Sequence, residues 1–447
     1  MRRELTKMSL ALVLALSMPM GARAFAPQDP PPAGDSADQP EEKVEEQEPG
    51  KGDLSEFGDK LARFWSVNSA FQARQSFDDN VFLANGFRKS DSQTKLSGRV
   101  TVAYRGAHTR FEASYMPEFN LYQRYTPLNY TNHNYSHTLT HDFSRRLEMN
   151  WTAGVYRSPS RGGLPFKLMN YGFFSFVRYA PEALADGLNL LHGQTGVGLT
   201  YRWTPRLVVK ARVEGATTYF SVRGTPAVSP VTKEFIYSGG ANLSLDYTLN
   251  AAQSFGVAVG NTYFASMAPT RAIGTSSHHH YQTLRMTYSH KLPKKFTLHA
   301  SAGPAFTVRS GGLDPQVRVH FDVGVVRQLL RSSYYASFQR TSQLGLLQDS
   351  FTGYGGRAGF HRVIGRKWWG GMGASYMRSE GNSGLGDLES ASGYAQISYR
   401  WTQRIQPFIN YGYTHQKALV ASPTLRNVNR NEIAIGFTYN FGVIAGR

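Results

Sequence analysis

The sequence predicts an all-β protein, a transmembrane antiparallel β-barrel of about 18 strands, with about 16 as the alternative count. Three observations predict it. Apolar and polar residues alternate with a period of two along most of the chain, which gives each strand two faces in two different solvents. Short turns recur at roughly 40 residues per pair of hairpins, the rhythm of barrel strands joined by one tight turn and one longer loop. No segment approaches the roughly 18 consecutive apolar residues that a membrane helix needs.

The last strand shows the alternation best. Ile433, Ile435, Phe437, Tyr439 and Phe441 share one parity, and Ala434, Gly436, Thr438 and Asn440 share the other. The same reading holds for Ala241 to Asn250, Thr283 to Ser289, Val317 to Val325 and Tyr394 to Trp401. A slip of one residue would drive arginines into lipid, so the register is strongly specified. A soluble propeller would instead carry an internal repeat per blade, and none is visible beyond the hairpin rhythm.

The ends of the chain read differently. Residues 1–24 have the form of a secretory signal: Arg2, Arg3 and Lys7, then apolar Leu10 to Met20, then Ala22-Arg23-Ala24. Residues 25–60 form a Pro- and Glu-rich arm, with Pro30, Pro31 and Pro32 ahead of Glu41, Glu42, Glu45, Glu46 and Glu48. Such a segment buries too little apolar surface to offset its ordering entropy, so a disordered periplasmic tether is expected. It is either a solvated spacer or a contact arm for a periplasmic partner. The barrel is expected over 61–441, with 442–447 as a C-terminal tail. The chain has no cysteine, which excludes disulfides and thiolate metal sites and fits export.

Charge is unevenly spread. The formal total is +18, of which residues 1–24 supply +3 and residues 25–50 supply −7, leaving +22 on 51–447. A positive barrel favours acidic solutes or polymers in its lumen, or lipopolysaccharide phosphates on its rim. The signal and strand pattern argue against nucleic acid as the partner.

Tight turns are expected near Arg105–His108, Ser144–Arg146, Thr204–Arg206, Asn250–Gln253, Leu292–Lys294, Arg331–Ser333, Gly365–Lys367 and Thr402–Arg404. Trp203, Trp368 and Trp401 flank three of them, where a periplasmic interfacial girdle places indoles. The longer Gly-, Ser- and Pro-rich connections include Asn85–Ser92, Ser158–Asn170, Gly224–Val231, Ala268–Ser277, Gly311–Pro315, Leu344–Ser350, Gly381–Glu389 and Leu419–Asn429. Ala180–Leu191 is expected as a short helix inside a loop, opened by Pro181.

Parity also selects the lumen. Arg74, Arg105, Arg110, Glu112, Lys210, Arg212, Glu214, Asp246, Arg285, Arg318, His320, Asp322, Arg357 and Arg400 fall on the polar face, where basic groups outnumber acidic ones. A barrel of about 16–18 strands encloses a water-filled channel, so these residues either attract anions or knit the wall, as Arg110 with Glu112 and Arg212 with Glu214. No metal site, cofactor or catalytic residue is expected. His278, His279 and His280 are expected to end an extracellular loop, and because successive strand residues point to opposite faces, three in a row do not all ligate one ion unless the backbone is irregular there. His133, His137 and His141 share a parity at steps of roughly 13 Å, too far to share an ion, and read as interfacial or lumenal polar groups. No spacing of Ser, His and acid picks out a nucleophile with its base. Gly381-Asn382-Ser383-Gly384 is a loop rather than a strand-to-helix elbow.

Ser76-Phe77-Asp78-Asp79-Asn80-Val81-Phe82 resembles the opening of an outer-membrane β-barrel family, porin-like in form, found in exopolysaccharide gene clusters. Asp78, Asp79 and Asn80 carry the likeness. Ser90-Asp91-Ser92, the hairpin from Lys95 to Leu121 and the run Asn132 to Leu139 look similar too. The resemblance implies passage or secretion of a polysaccharide across the outer membrane, with periplasmic export components as partners. Outer-membrane lipid, lipopolysaccharide and the barrel-assembly machinery would be the others. One departure stands out: typical barrels end on the aromatic that the insertion machinery reads, whereas here Phe437, Tyr439 and Phe441, the expected insertion signal, are followed by Gly442 to Arg447, so either the signal is read internally at Phe441 or assembly differs. A general diffusion porin and a plugged structural or adhesive barrel share the same strands. A loop folded into the lumen would favour the porin, and Ser158–Thr195 is the segment long enough for it.

Overall fold

The computed structural model describes residues 64–81, 88–160, 188–222, 232–267, 277–309, 316–344, 350–381, 388–418 and 427–445. The signal, the acidic arm and most of the long loops expected from the sequence lie outside these residues.

Eighteen antiparallel strands form one sheet that closes on itself. In chain order they are β1 (Trp65–Asp78), β2 (Asp91–Arg105), β3 (Thr109–Tyr122), β4 (Tyr130–Asp142), β5 (Leu147–Ser160), β6 (Leu188–Arg202), β7 (Leu207–Val222), β8 (Thr232–Thr248) and β9 (Gln253–Met267). There follow β10 (Ser277–Leu292), β11 (Phe296–Arg309), β12 (Gln316–Gln328), β13 (Ser332–Leu344), β14 (Ser350–Ile364), β15 (Trp368–Gly381), β16 (Leu388–Tyr399), β17 (Ile405–Ala418) and β18 (Val428–Ala445). Each strand pairs with its chain neighbour, and β18 pairs with β1. Closure leaves no edge, so every strand backbone finds its partners within the wall, as a lipid environment demands.

Register gives each residue a side. Leu243 opposes Val259, which opposes Leu284, and Met286 opposes Val257. These residues belong to a broad set of exposed large apolar side chains, with Met286 at 69% and Val213 at 64%. A soluble protein would not leave such a band in water. The same alternation runs through Ile397, Ile409 and Ile435 on the far side of the barrel. The apolar face is therefore the outer one and the polar parity faces the lumen.

The short turns stand where the turn residues predict. Ser144, Thr204, Asn250 and Thr402 each accept, through a side-chain oxygen, the backbone N–H groups two and three residues on. This is the local bonding that makes Ser, Thr and Asn turn formers. Three expectations change. The final strand does not stop at Phe441. It continues to Ala445, with Ser66 opposite Ala445. The register shifts at Ser69/Ala70, so Phe441 is the extra residue of a bulge, and Gly442 at φ +93° absorbs it. Nor is Ala180–Leu191 a loop helix throughout, because β6 already begins at Leu188. Its apolar Leu188, Leu190 and Leu191 extend a ladder with β5 instead. Finally, His278-His279-His280 lies inside β10 rather than ending a loop, because its ladder with β9 starts at Ser277.

Candidate functional site

The inner wall near the long-loop end holds an extended network of buried polar side chains. β1 ends in Asp78, and the chain continues into Asp79 and Asn80. Asn80 donates its backbone N–H to Asp78 Oδ1 at 2.9 Å, an Asx turn. Arg430 on β18 donates Nε–H to Asp78 Oδ2 at 2.7 Å. Arg430 also pairs with Glu432 at 3.5 Å, and Glu432 pairs in turn with Arg74 on β1. Asp79 accepts the backbone and side-chain N–H groups of Asn431, both at 2.7 Å. Asn80 donates to the Asn429 carbonyl at 2.9 Å. The Asp-Asp-Asn motif thus ties the first strand to the last.

The network continues across the next strands. Lys95 on β2 pairs with Glu118 on β3 at 3.4 Å. Glu118 accepts from Asn120 and from Asn132 on β4 at 3.3 and 3.1 Å. Gln93 donates to Asn120 Oδ1 at 3.2 Å. Asp78, Asn80, Asp91, Glu118 and Asn120 are all buried. Buried charges need partners, and here most of the lone pairs are taken by named donors.

A short loop covers this network. Residues 123–129 turn inward, with Asp91 accepting the backbone N–H groups of Arg124 and Tyr125 at 3.0 to 3.2 Å. Asn129 Oδ1 accepts the Tyr122 N–H at 2.6 Å. Val81, Tyr122 and Leu128 bury themselves together, with Tyr125 and Tyr130 packed on them. Tyr122 and Tyr130 have inward parity, so this small apolar cap lies on the lumenal side. The described part of Ser158–Thr195, by contrast, is strand on both sides, and residues 161–187 lie outside the description.

The opposite wall is built otherwise. Arg285 on β10, Arg318 on β12 and Arg357 on β14 face inward, with His299, His320 and His361 beside them. Arg318 donates to Gln316 at 3.0 Å and Arg357 to Ser337 at 3.1 Å. Arg285 Nε is buried and has no hydrogen-bond partner among the described residues. Asp322 is paired with His299 at 3.1 Å. Beyond Arg357, Tyr335 on β13 and Tyr394 on β16 reach over β14 and β15 until their hydroxyls lie 3.4 Å apart. Glycine makes this possible. A Cβ on Gly359 would stand 2.6 Å from the Tyr335 hydroxyl, and one on Gly373 would stand 2.6 Å from the Tyr394 ring.

The remaining residues singled out from the sequence fall as follows. Lys210 pairs with Asp246 at 2.7 Å and Arg212 with Glu214 at 3.4 Å, both inside. Arg110 pairs with Asp142 on β4 at 3.7 Å, rather than with Glu112 on its own strand, because the antiparallel ladder carries Asp142 past it. Arg105 ends β2 opposite Arg110. Arg400 is displaced from the wall: β16 ends at Tyr399, and Arg400 is exposed in the turn, its N–H bonded to the Lys367 carbonyl. Trp203 and Trp401 stand in turns at 61% and 67% exposure, and Trp368 opens β15 with its ring 4.6 Å from Tyr399. Phe437 and Phe441 are exposed on β18, and Tyr439 packs on Phe441 at 4.8 Å. His133, His137 and His141 face outward, not into the lumen, sharing a face with Tyr135 and Leu139. His137 is buried there among Phe111, Tyr135 and Trp151.

Sequence reading missed Arg430, Glu432 and the 123–129 loop. Arg430 and Glu432 lie two and four residues past the first residue of β18, and only the β18–β1 ladder shows what they meet. The signal for the loop was Asn129 and Leu128 between two strands, a turn former next to an apolar residue with no strand to occupy.

No protein-family model matches the chain, and no curated protein sequence matches it. Solved structures are similar in outline. The FrpB iron transporter from Neisseria meningitidis (F3-3 variant) shares 10% identity, with 87% of this chain and 83% of that chain covered and a TM-score of 0.48. The copper transporter OprC shares 11%, covering 84% and 81%, with a TM-score of 0.48. The ferric citrate transporter FecA in its unliganded form shares 10%, covering 85% and 65%, with a TM-score of 0.46.

Proposed function

We propose that the protein is an outer-membrane channel whose basic inner wall guides an acidic polysaccharide. The observation that carries this reading is the wall from β10 to β16. Arg285, Arg318 and Arg357 project from alternate strands, and the Tyr335–Tyr394 pair lies beside them. Guanidinium groups match carboxylates in planar, two-point fashion, and aromatic faces suit the apolar faces of sugar rings. Acidic side chains gather instead at the β18–β4 wall, where Asp78, Glu432 and Glu118 are paired. From β10 to β14 three inward guanidiniums stand against one inward carboxylate, Asp322, among the described residues, so a polymer in the lumen would meet a net positive surface there. An 18-stranded closed barrel is in the size range that leaves an aqueous interior. Export rather than uptake rests on the resemblance at Asp78-Asp79-Asn80. The acidic arm would serve as the periplasmic contact.

The inward 123–129 loop favours a second reading, a general diffusion porin narrowed by a folded-in segment. Planar-bilayer conductance separates the two. The export reading expects anion selectivity and one-sided, transient block by a soluble acidic polysaccharide, with neutral dextran inert. Replacing Arg285, Arg318 and Arg357 by Gln should remove that block. Conductance indifferent to the acidic polymer would sink the export reading in favour of a plain porin. Absence of conductance would indicate a plugged barrel.

A further inference from the structure

We infer that the outer wall at β10–β12 holds a phospholipid of the short-turn leaflet, with its phosphate on the Lys294-Lys295 turn. The inference needs the barrel to be lipid-embedded, but not any particular cargo. Two independent observations lead to it.

The first is a groove on the lipid-facing surface. Its floor at β11 is Ala300 and Ala302, two small residues between Met286 and Tyr288 on one side and Phe321 and Val323 on the other, and it continues past β10 onto Phe255 and Val257 of β9 and Leu245 and Tyr247 of β8. Register sets this shape, because Met286 faces Ala302 and Ala302 faces Phe321. The lining is almost wholly apolar. Tyr288 and Met286 stand four and six residues before the end of β10, so the groove begins roughly 13 Å from the turn and extends to roughly 20 Å along the strand. Allowing for strand tilt, that is the acyl region of one leaflet.

The second is the turn at the end of β10, which joins it to β11. Lys294 and Lys295 both have positive φ, +59° and +64°. They follow Pro293 in a three-residue connection between the paired Leu292 and Phe296, and positive φ at turn positions is a conformation that Asn and Gly adopt most readily. Two consecutive lysines in the left-handed region are a strained solution, and strain of this kind collects where a side chain is needed. Both lysines are exposed. Arg327 adds a third cation on the outer parity, its guanidinium 4.8 Å over the Phe296 ring and its Nε donating to the Lys294 carbonyl at 3.3 Å. Cations at the headgroup level with an acyl-sized groove above them match an anionic phospholipid in charge and shape.

The test is native mass spectrometry of the full barrel, released from detergent after exchange with phosphatidylglycerol or phosphatidylcholine. The variant Lys294→Asn/Lys295→Gly removes both charges and puts at each positive-φ position a residue that adopts it readily, so it should fold at least as well. A second variant, Ala302→Phe, fills the groove and leaves the lysines in place. Wild type should retain phosphatidylglycerol in preference to phosphatidylcholine. The turn variant should lose that preference by roughly thirtyfold, the value of two lysines at an anionic surface. The groove variant should lose both lipids. Inorganic phosphate alone should not compete. Equal retention of the two lipids by wild type, retention unchanged in either variant, or displacement by free phosphate would each overturn the inference.

Discussion

Arg430 and Asp78 lie at opposite ends of the barrel sequence, on β18 and β1, and are joined by a 2.7 Å hydrogen bond inside the wall. The seam where the sheet closes therefore carries an ion pair in addition to its backbone ladder. Asp78 is 5% and Arg430 22% exposed at the side chain, so water screens the pair poorly. Removing one partner leaves a buried charge, which costs about 3–5 kcal/mol, whereas replacing both by apolar groups can be nearly neutral. Arg430→Ala should destabilise the refolded barrel by about that amount in urea unfolding. Asp78→Leu/Arg430→Met should recover much of it. An Arg430→Ala barrel as stable as wild type would show that the backbone ladder alone secures the seam.

Asp91 fixes the inward loop through two consecutive backbone N–H groups, those of Arg124 and Tyr125. Asp91→Ala leaves both donors to water and frees residues 123–129 from the wall. The lumen should widen at the long-loop end, and single-channel conductance should rise and become noisier. The inward loop would not be the constriction if conductance stayed at the wild-type value.

The strands were legible because a lipid face and a water face impose period two. Alternation such as Leu243, Leu245 and Tyr247 against Asn242, Ser244 and Asp246 needs no tertiary information. The site was less legible because its contacts cross the closure. Asp78 was singled out by motif, but its partner Arg430 is separated from it by nearly the whole barrel. Arg110 illustrates a nearer failure. Its spacing from Glu112 suggested a pair, while the ladder supplied Asp142 from the neighbouring strand. Arg400 shared the lumenal parity, yet its strand had already ended at Tyr399.

The tyrosine platform rests on glycine. Gly373 lies beneath the Tyr394 ring, and a side chain there would displace it. Gly373→Val should cost about 1–3 kcal/mol by overpacking, read as a shifted unfolding midpoint. Tyr394→Ala should relieve most of that penalty in the double variant, because the clash partner is gone. Additive penalties would mean that Tyr394 does not lie over Gly373.

Leu243 and Ser244 are neighbours on β8 with opposite solvents. Leu243 is 54% exposed on the apolar band, and it opposes Val259. Ser244 faces the lumen opposite Lys210 and shares that face with Asp246. Arginine at 243 would place a guanidinium in hydrocarbon near the middle of the strand, at a cost of about 2–4 kcal/mol. At 244 the same residue stays in water, and the carboxylate of Asp246 on the same face offsets the Lys210 charge opposite. Folding into lipid vesicles at graded urea should therefore separate Leu243→Arg sharply from wild type and leave Ser244→Arg close to it. Equal losses for the two variants would mean that the wall does not divide lipid from water at this strand, and the inward assignment of every lumenal arginine would fall with it.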